Sequence, residues 1–333
     1  MSNSGCFVVS LDFELYWGLR DHTPLSACRE RLLGVRQAVP EMLKLFEQYE
    51  IEVTWAVVGF LFADGRESLM KALPESLPTY ENEKLSPYSH LESLGDDEQS
   101  DPFHFAPSLI SLIANTPGQE IATHTFSHFY CCESGATPEQ LRYDLQAAKQ
   151  ISAQHGHACT SIVFPRNQYK ESSLPTLQEM GIGAYRPSKQ HWAYKPVASS
   201  EQHMARRGVR FADAYLPLTG EDVVSLAGPP TPPGLIAVPA SRFFRPYSPR
   251  LRNLDPIRIW RITRDMTRAA RSERLYHLWW HPHNFGTYLE ENMALLEEVL
   301  QHFVTLKQSY GMQSATMHGA AQRAGQRSVR EPS

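Results

Sequence analysis

Cysteine is scarce and irregularly spaced: five residues in a chain of 333, two of them the neighbours Cys131 and Cys132. An odd count without a repeating interval excludes a disulfide framework, so all five are expected as reduced thiols that pack. Long apolar runs are missing as well. No stretch of about 18 apolar residues occurs, so the sequence offers no membrane-spanning helix. Neither sign of charge prevails: 32 lysines and arginines meet 36 aspartates and glutamates, and a net charge of −4 exerts no global pull on nucleic acid or anionic membrane. The opening MSNSGCFVVSLDFE has no basic segment and reaches Asp12 too soon for a secretory signal, so a cytoplasmic location is expected. Internal repeats and linker-like stretches are absent too. What remains is a globular composition in a chain long enough for one large α/β domain or two ordinary ones.

The apolar pattern alternates between two periods. Residues 6–11 form a short β-branched run ending at Asp12, which reads as a buried strand. Over 27–49 the period becomes helical, with Leu32, Leu33, Val35, Val39, Met42, Leu43 and Phe46 on one broad face and Pro40 expected to split or kink the helix. Further strands are expected at 51–58, 120–123, 160–164, 182–185, 235–238, 275–280 and 313–317, with helices at 138–154 and 288–310. Strand–helix units joined by short loops imply right-handed crossovers and a parallel sheet, and seven or eight of them favour closure into a barrel. Residues 64–107 are too long for a simple connection and read as an insertion over the mouth. Residues 318–333 are small, polar and basic, and are expected to form a disordered tail.

A parallel barrel builds its site at the C-terminal ends of its strands. The first strand ends in Asp12 and Glu14, which share a direction because side chains alternate with period two. Two acids there are costly unless paired, protonated or bound to a cation. The third strand is followed by His124 and His128, four residues apart. On a helical turn that spacing lets both rings reach one metal ion, although two unrelated loop residues would read the same way. The fourth strand ends at Arg166, and the penultimate one delivers His281 and His283 beside Trp279 and Trp280, where packing alone could also explain them. Emergence of all these groups at strand ends argues for one shared site. A carboxylate with two histidines leaves an open position on zinc or a similar ion, the mark of a catalytic centre.

In this order the motifs resemble those of the polysaccharide deacetylase family, the NodB-homology carbohydrate esterases, over residues 7–317. The resemblance implies a distorted (β/α) barrel of about seven parallel strands with an insertion after the second strand, spanning 1–317. It also implies metal-dependent removal of acetyl groups from N-acetylated sugars, as in surface-polysaccharide biosynthesis. Ser10-Leu11-Asp12-Phe13-Glu14 is similar to a D-x-[DE] variant of the family's first motif, which makes Asp12 the base and Glu14 a metal ligand. The one-residue shift leaves open whether Asp12 itself binds the metal. His124-Thr125-Phe126-Ser127-His128 matches the H-[ST]-x-x-H motif in full and supplies the other two ligands, with zinc the expected ion. Arg166-Asn167-Gln168-Tyr169 approaches R-x-P-Y, so Arg166 would pair with the base. Trp279-Trp280-His281 approaches L-x-H, which makes His281 the general acid and His283 its competitor. Tyr169, Trp280 and His283 are expected against the substrate. Two alternatives stay open: a hydrolase of a non-sugar amide or formamide on the same fold, and a non-catalytic member that binds glycan.

One segment stands apart. Between Arg242 and Arg274 lie ten arginines against three acids, and Arg258, Arg261, Arg264, Arg268 and Arg271 share a helical arc. The arc is either a solvated face or a contact for phosphate, whether of a nucleotide- or lipid-linked sugar or of an anionic membrane met through 257–271. No nucleic acid is expected.

Overall fold

Strand β1 (Cys6–Phe13) is buried along its whole length. The computed structural model describes residues 4–330 apart from 190, 196, 199–202, 217, 221 and 225–231. Strands β2 (Val53–Val57), β3 (Gln119–Thr123), β4 (Ser161–Ile162), β5 (Ala184–Tyr185), β6 (Ile236–Ala237), β7 (Arg242–Phe243) and β8 (Leu275–Trp280) join β1 in the order β6-β5-β4-β3-β2-β1-β8-β7, every pairing parallel. Strand β9 (Gln313–Ala315) pairs with the first three residues of β1. Strands β6 and β7 lie at opposite ends of this order, yet only residues 238–241 separate them. So short a connection forces the sheet to curl until its edges approach: a distorted (β/α) barrel without a ladder between β6 and β7. Strand β7 has no sequence signature because two residues cannot display a period.

The helices are α1 (Leu25–Gln48), α2 (Arg66–Lys71), α3 (Pro107–Ala114), α4 (Pro138–Gln154), α5 (Leu174–Glu179), α6 (Met204–Ala212), α7 (Asp255–Arg271), α8 (Leu289–Tyr310) and α9 (Met317–Arg330). Pro40 does not split α1. It removes one intrahelical hydrogen bond, but Val35, Val39, Met42 and Phe46 are buried on one face and keep both halves seated. The insertion 64–107 packs on the loop that follows Glu14: Trp17 donates to the His104 carbonyl at 2.9 Å and Arg20 to that of Lys84 at 3.0 Å.

Along β1, Val9, Leu11 and Phe13 face the core beneath the helices, whereas Cys6 and Val8 belong to a separate apolar cluster that floors the barrel. Met317, Ala320 and Ala321 of α9 complete that floor, which corrects the expected disordered tail. Alanines looked too small to anchor a segment, but a narrow barrel end suits them because the helix backbone can come close. The start of α9 is also pinned by polar contacts, from the Met317 amide to Thr54 Oγ1 at 2.7 Å and from the His318 amide to Glu120 Oε2 at 3.2 Å. Residues 331–333 lie outside the described residues. No described helix is long and apolar enough to cross a membrane.

Candidate active site

Above the apolar floor, the inward side chains of β1 and β8 become polar step by step. Ser10 Oγ meets His277 Nε2 at 2.7 Å, and Arg186, just past β5, donates to Ser10 Oγ at 2.8 Å and to Asp12 Oδ2 at 2.7 Å. The Arg186 guanidinium lies 4.3 Å from the Trp279 ring centroid, donates to Asn167 Oδ1 and is fully buried. Asp12 is also buried, and its second oxygen, Oδ1, has no hydrogen-bond partner. At the mouth, His281 Nε2 stands 3.5 Å from Glu14 Oε1 and 3.8 Å from Asp12 Oδ2.

Glu14, His124 and His128 bring one ligand atom each to within 4.8 Å of one another, all three residues buried. His124 Nδ1 lies 2.8 Å from the Val163 carbonyl, which can only accept, so the ring donates there and Nε2 is left with its lone pair. That nitrogen has no hydrogen-bond partner and faces Glu14 Oε2 at 3.4 Å. Two acceptors turned toward each other in a buried site call for a cation between them. Burial pushes His128 down to about 4 despite Glu14, so this ring is neutral at pH 7 and able to ligate; its Nε2 lies 3.1 Å from Glu14 Oε2. Burial alone would raise the Glu14 carboxyl, but His281, His124 and His128 outweigh it and hold it well below the usual range. Gly18 leaves the room that Glu14 needs, because a Cβ there would come within 2.0 Å of its carboxyl carbon. The residues fit a divalent metal of the catalytic, three-ligand kind.

The histidine pair does not ride on a helical turn. Residues 124–128 form a loop with Thr125 and His128 in the left-handed region, at φ 65° and 59°. The loop is held from behind by Asp144 of α4, which accepts from the Phe126 and Ser127 amides at 2.6 and 3.1 Å and from the Ser127 hydroxyl. Thr125 Oγ1 accepts from the Phe129 amide at 2.7 Å. Burial pushes the Asp144 carboxyl up to about 6, against the pull of those hydrogen bonds. The folded state therefore holds this proton more tightly than the unfolded chain does. Its contribution to stability is complete below about pH 4 and is lost as the pH rises through 6. In chelator, the stability of the wild type relative to Asp144→Asn should accordingly fall by about 2–3 kcal/mol between pH 4 and 7 in urea titrations. A pH-independent difference would mean that Asp144 does not titrate there.

Residues 33–185 match the family model for polysaccharide deacetylase. No curated protein matches the chain. Among solved structures, a Mycobacterium smegmatis protein assigned to the polysaccharide deacetylases is similar over 98% of this chain and 92% of its own, with TM-score 0.61 and 14% identity. A Pseudomonas aeruginosa PAO1 protein with the same assignment gives TM-score 0.54 at 11% identity, covering 98% and 91%. PuuE allantoinase gives 0.55 at 10%, again covering 98% and 91%. At these identities the likeness establishes the shared fold.

Several expectations for this site need correction. Arg166 is not beside Asp12. Left-handed backbone at Arg166 and Asn167 turns it to the rim, where it pairs with Asp21 and Glu133 and lies over the Tyr130 ring at 4.0 Å. Arg186 takes the position beside Asp12 instead; its one signal in the sequence is an arginine directly after the short strand 182–185. Trp280 is fully buried against Phe244 and Phe285 on the helix side, and it is Trp279 that lines the cleft, as alternation along β8 requires. Tyr169 stacks on Phe164 in a side cluster and does not line the cleft. His283 does line it, stacked on His281 with ring centroids 5.0 Å apart, but burial pushes it down to about 3. The arginine arc of α7 is largely answered within the fold. Arg258 and Arg261 are buried, the first on Asp255 at 2.7 Å, the second facing Asp222 at 3.7 Å, while Asp265 meets Arg264 and Arg268. The acids within the helix were too few, but Asp222 arrives from a distant segment.

Proposed function

We propose that the protein is a zinc-dependent hydrolase that removes the acetyl group of an N-acetylated sugar in surface-polysaccharide biosynthesis. The convergence of Glu14, His124 and His128 beside the unpartnered Oδ1 of Asp12 carries this reading. Glu14, His124 and His128 would hold the ion, whose chemistry when bound is Lewis acidity toward water and the amide carbonyl. Asp12 Oδ1 accepts the proton of the attacking water. Arg186 fixes Oδ2 of the same carboxylate, so the base is aimed. His281 is 24% exposed and is the most accessible member of the group. Its Nε2 donates a proton to the leaving amine.

A second reading, hydrolysis of a non-sugar amide, is supported by the likeness to PuuE allantoinase, since the fold is shared with that enzyme. Acetate and formate release over N-acetyl sugars and non-sugar amides separates the two. Wild type should release acetate from a sugar, lose that activity in chelator, and recover it with zinc. His124→Ala and His128→Ala should lose most of their bound metal by elemental analysis. Release from non-sugar amides alone would give the second reading. Equal metal in all three proteins with no turnover would leave a glycan-binding member.

A further inference from the structure

The site opens into a cleft of about 910 Å³ whose lining holds seven arginines and lysines but three carboxylates. Three of the cations are answered within the fold: Arg166 by Asp21 and Glu133, Lys189 by Asp222, and Arg242 by Asp222 and Asp265. Arg31, Arg207 and Arg245 are not. Among the described residues no carboxylate lies within 4.0 Å of any of them. Arg31 projects from α1, half-buried, with its Nε buried and without a hydrogen-bond partner. It stands where the cleft meets a second pocket of about 440 Å³, sharing that boundary with Asn284. Arg245, half-buried beyond β7, donates to the Arg210 carbonyl at 3.0 Å and lies over the Phe211 ring. Arg207 is exposed on the neighbouring α6.

The contrast with the rest of the chain gives this its weight. Each of the four fully inward arginines, Arg186, Arg242, Arg258 and Arg261, has an aspartate facing it. Desolvating a guanidinium without a counter-charge is unfavourable, and for these four the fold supplies one. Burial holds Arg245 below its ordinary value. The chain is acidic overall, so the deficit of carboxylates is local. Cations in a cleft with low-dielectric walls focus their field on whatever enters, and the guanidinium fork matches the spacing of two oxyanion oxygens.

We propose that the cleft recognises its substrate by an oxyanion substituent, a phosphate ester or a uronate carboxylate, seated along the lining formed by Arg31, Arg207 and Arg245. The proposal rests on the deacetylase reading only for the statement that the substituent is carried by an amido sugar.

The test compares three ligands on the purified full-length, metal-loaded protein: N-acetylglucosamine 1-phosphate, an N-acetylated amino-sugar uronate, and the neutral methyl glycoside of N-acetylglucosamine. Kd is read by calorimetry and acetate release is read separately. An anionic ligand should bind about tenfold or more tightly than the neutral one at low salt, and the gap should narrow as salt is raised. The anion that shows the preference identifies its source. Arg31→Gln, Arg245→Gln and the exposed Arg207→Gln should each shrink the anionic-to-neutral ratio, while Arg268→Gln, on α7 outside the cleft, should leave it unchanged. Arg207→Gln guards the test, since an exposed helical residue can be replaced without loss of the fold. Equal affinity for all three ligands overturns the proposal, as does a preference that survives in all three cleft variants. Acetate release without preference for an anion would overturn this inference and leave the deacetylase reading standing. Arginine-dependent anion binding without release of acetate would do the reverse.

Discussion

Asp12→Asn is expected to lower kcat by about 10²–10⁴-fold while the protein keeps its metal. Asparagine can still accept from Arg186, so the side chain stays in position, but it cannot take a proton from water. The metal should remain because the three converging ligand atoms belong to Glu14, His124 and His128, with Asp12 outside that set. Glu14→Gln should behave oppositely, losing metal and turnover together. Elemental analysis beside initial rates separates the two acids: if Asp12→Asn loses metal and Glu14→Gln keeps it, their roles are exchanged. His281→Ala belongs with Asp12→Asn, as a variant that retains metal and turns over slowly. A larger loss in His283→Ala would transfer the proton donor to His283, against the burial that keeps that ring neutral.

Arg186→Leu carries the second large effect, and here stability and chemistry change together. Removing the guanidinium strands the buried Asp12 carboxylate, and breaking a buried pair from one side costs about 3–5 kcal/mol. In a chain of this size that lowers Tm by about 4–7 °C. A buried carboxylate without its cation also holds its proton more readily, so the acid limb of the pH–rate profile should move to higher pH. Part of the lost rate should return at alkaline pH. Arg166→Leu is the comparison: its pairs lie at the rim with Asp21 and Glu133, so the acid limb should stay in place. A shift in Arg166→Leu and none in Arg186→Leu would restore the assignment suggested by the R-x-P-Y resemblance.

The site's ligands were legible because they depend on short stretches of chain. Period two along 6–14 aims Asp12 and Glu14 alike, and an apolar run before each polar pair marks a strand end at the barrel mouth. The same alternation, carried through 275–281, would have exposed Trp279 and hidden Trp280. The conformation of 124–128 was not legible. A four-residue spacing suits a helical turn, whereas here a loop with left-handed residues brings the rings together because Asp144 satisfies its amides from α4.

What the local pattern could not contain is the choice of partners. Which arginine meets Asp12 is decided by the turn at Arg166 and Asn167 and by the curl that carries β5 across the barrel from β1. Whether α7 presents a basic face is decided by Asp222, 39 residues before Arg261. Whether 318–330 is ordered depends on a barrel floor built from six strands. Periodicity and donor chemistry are properties of neighbours along the chain. Charge balance and burial are properties of neighbours in space, and only closing the barrel brings those together.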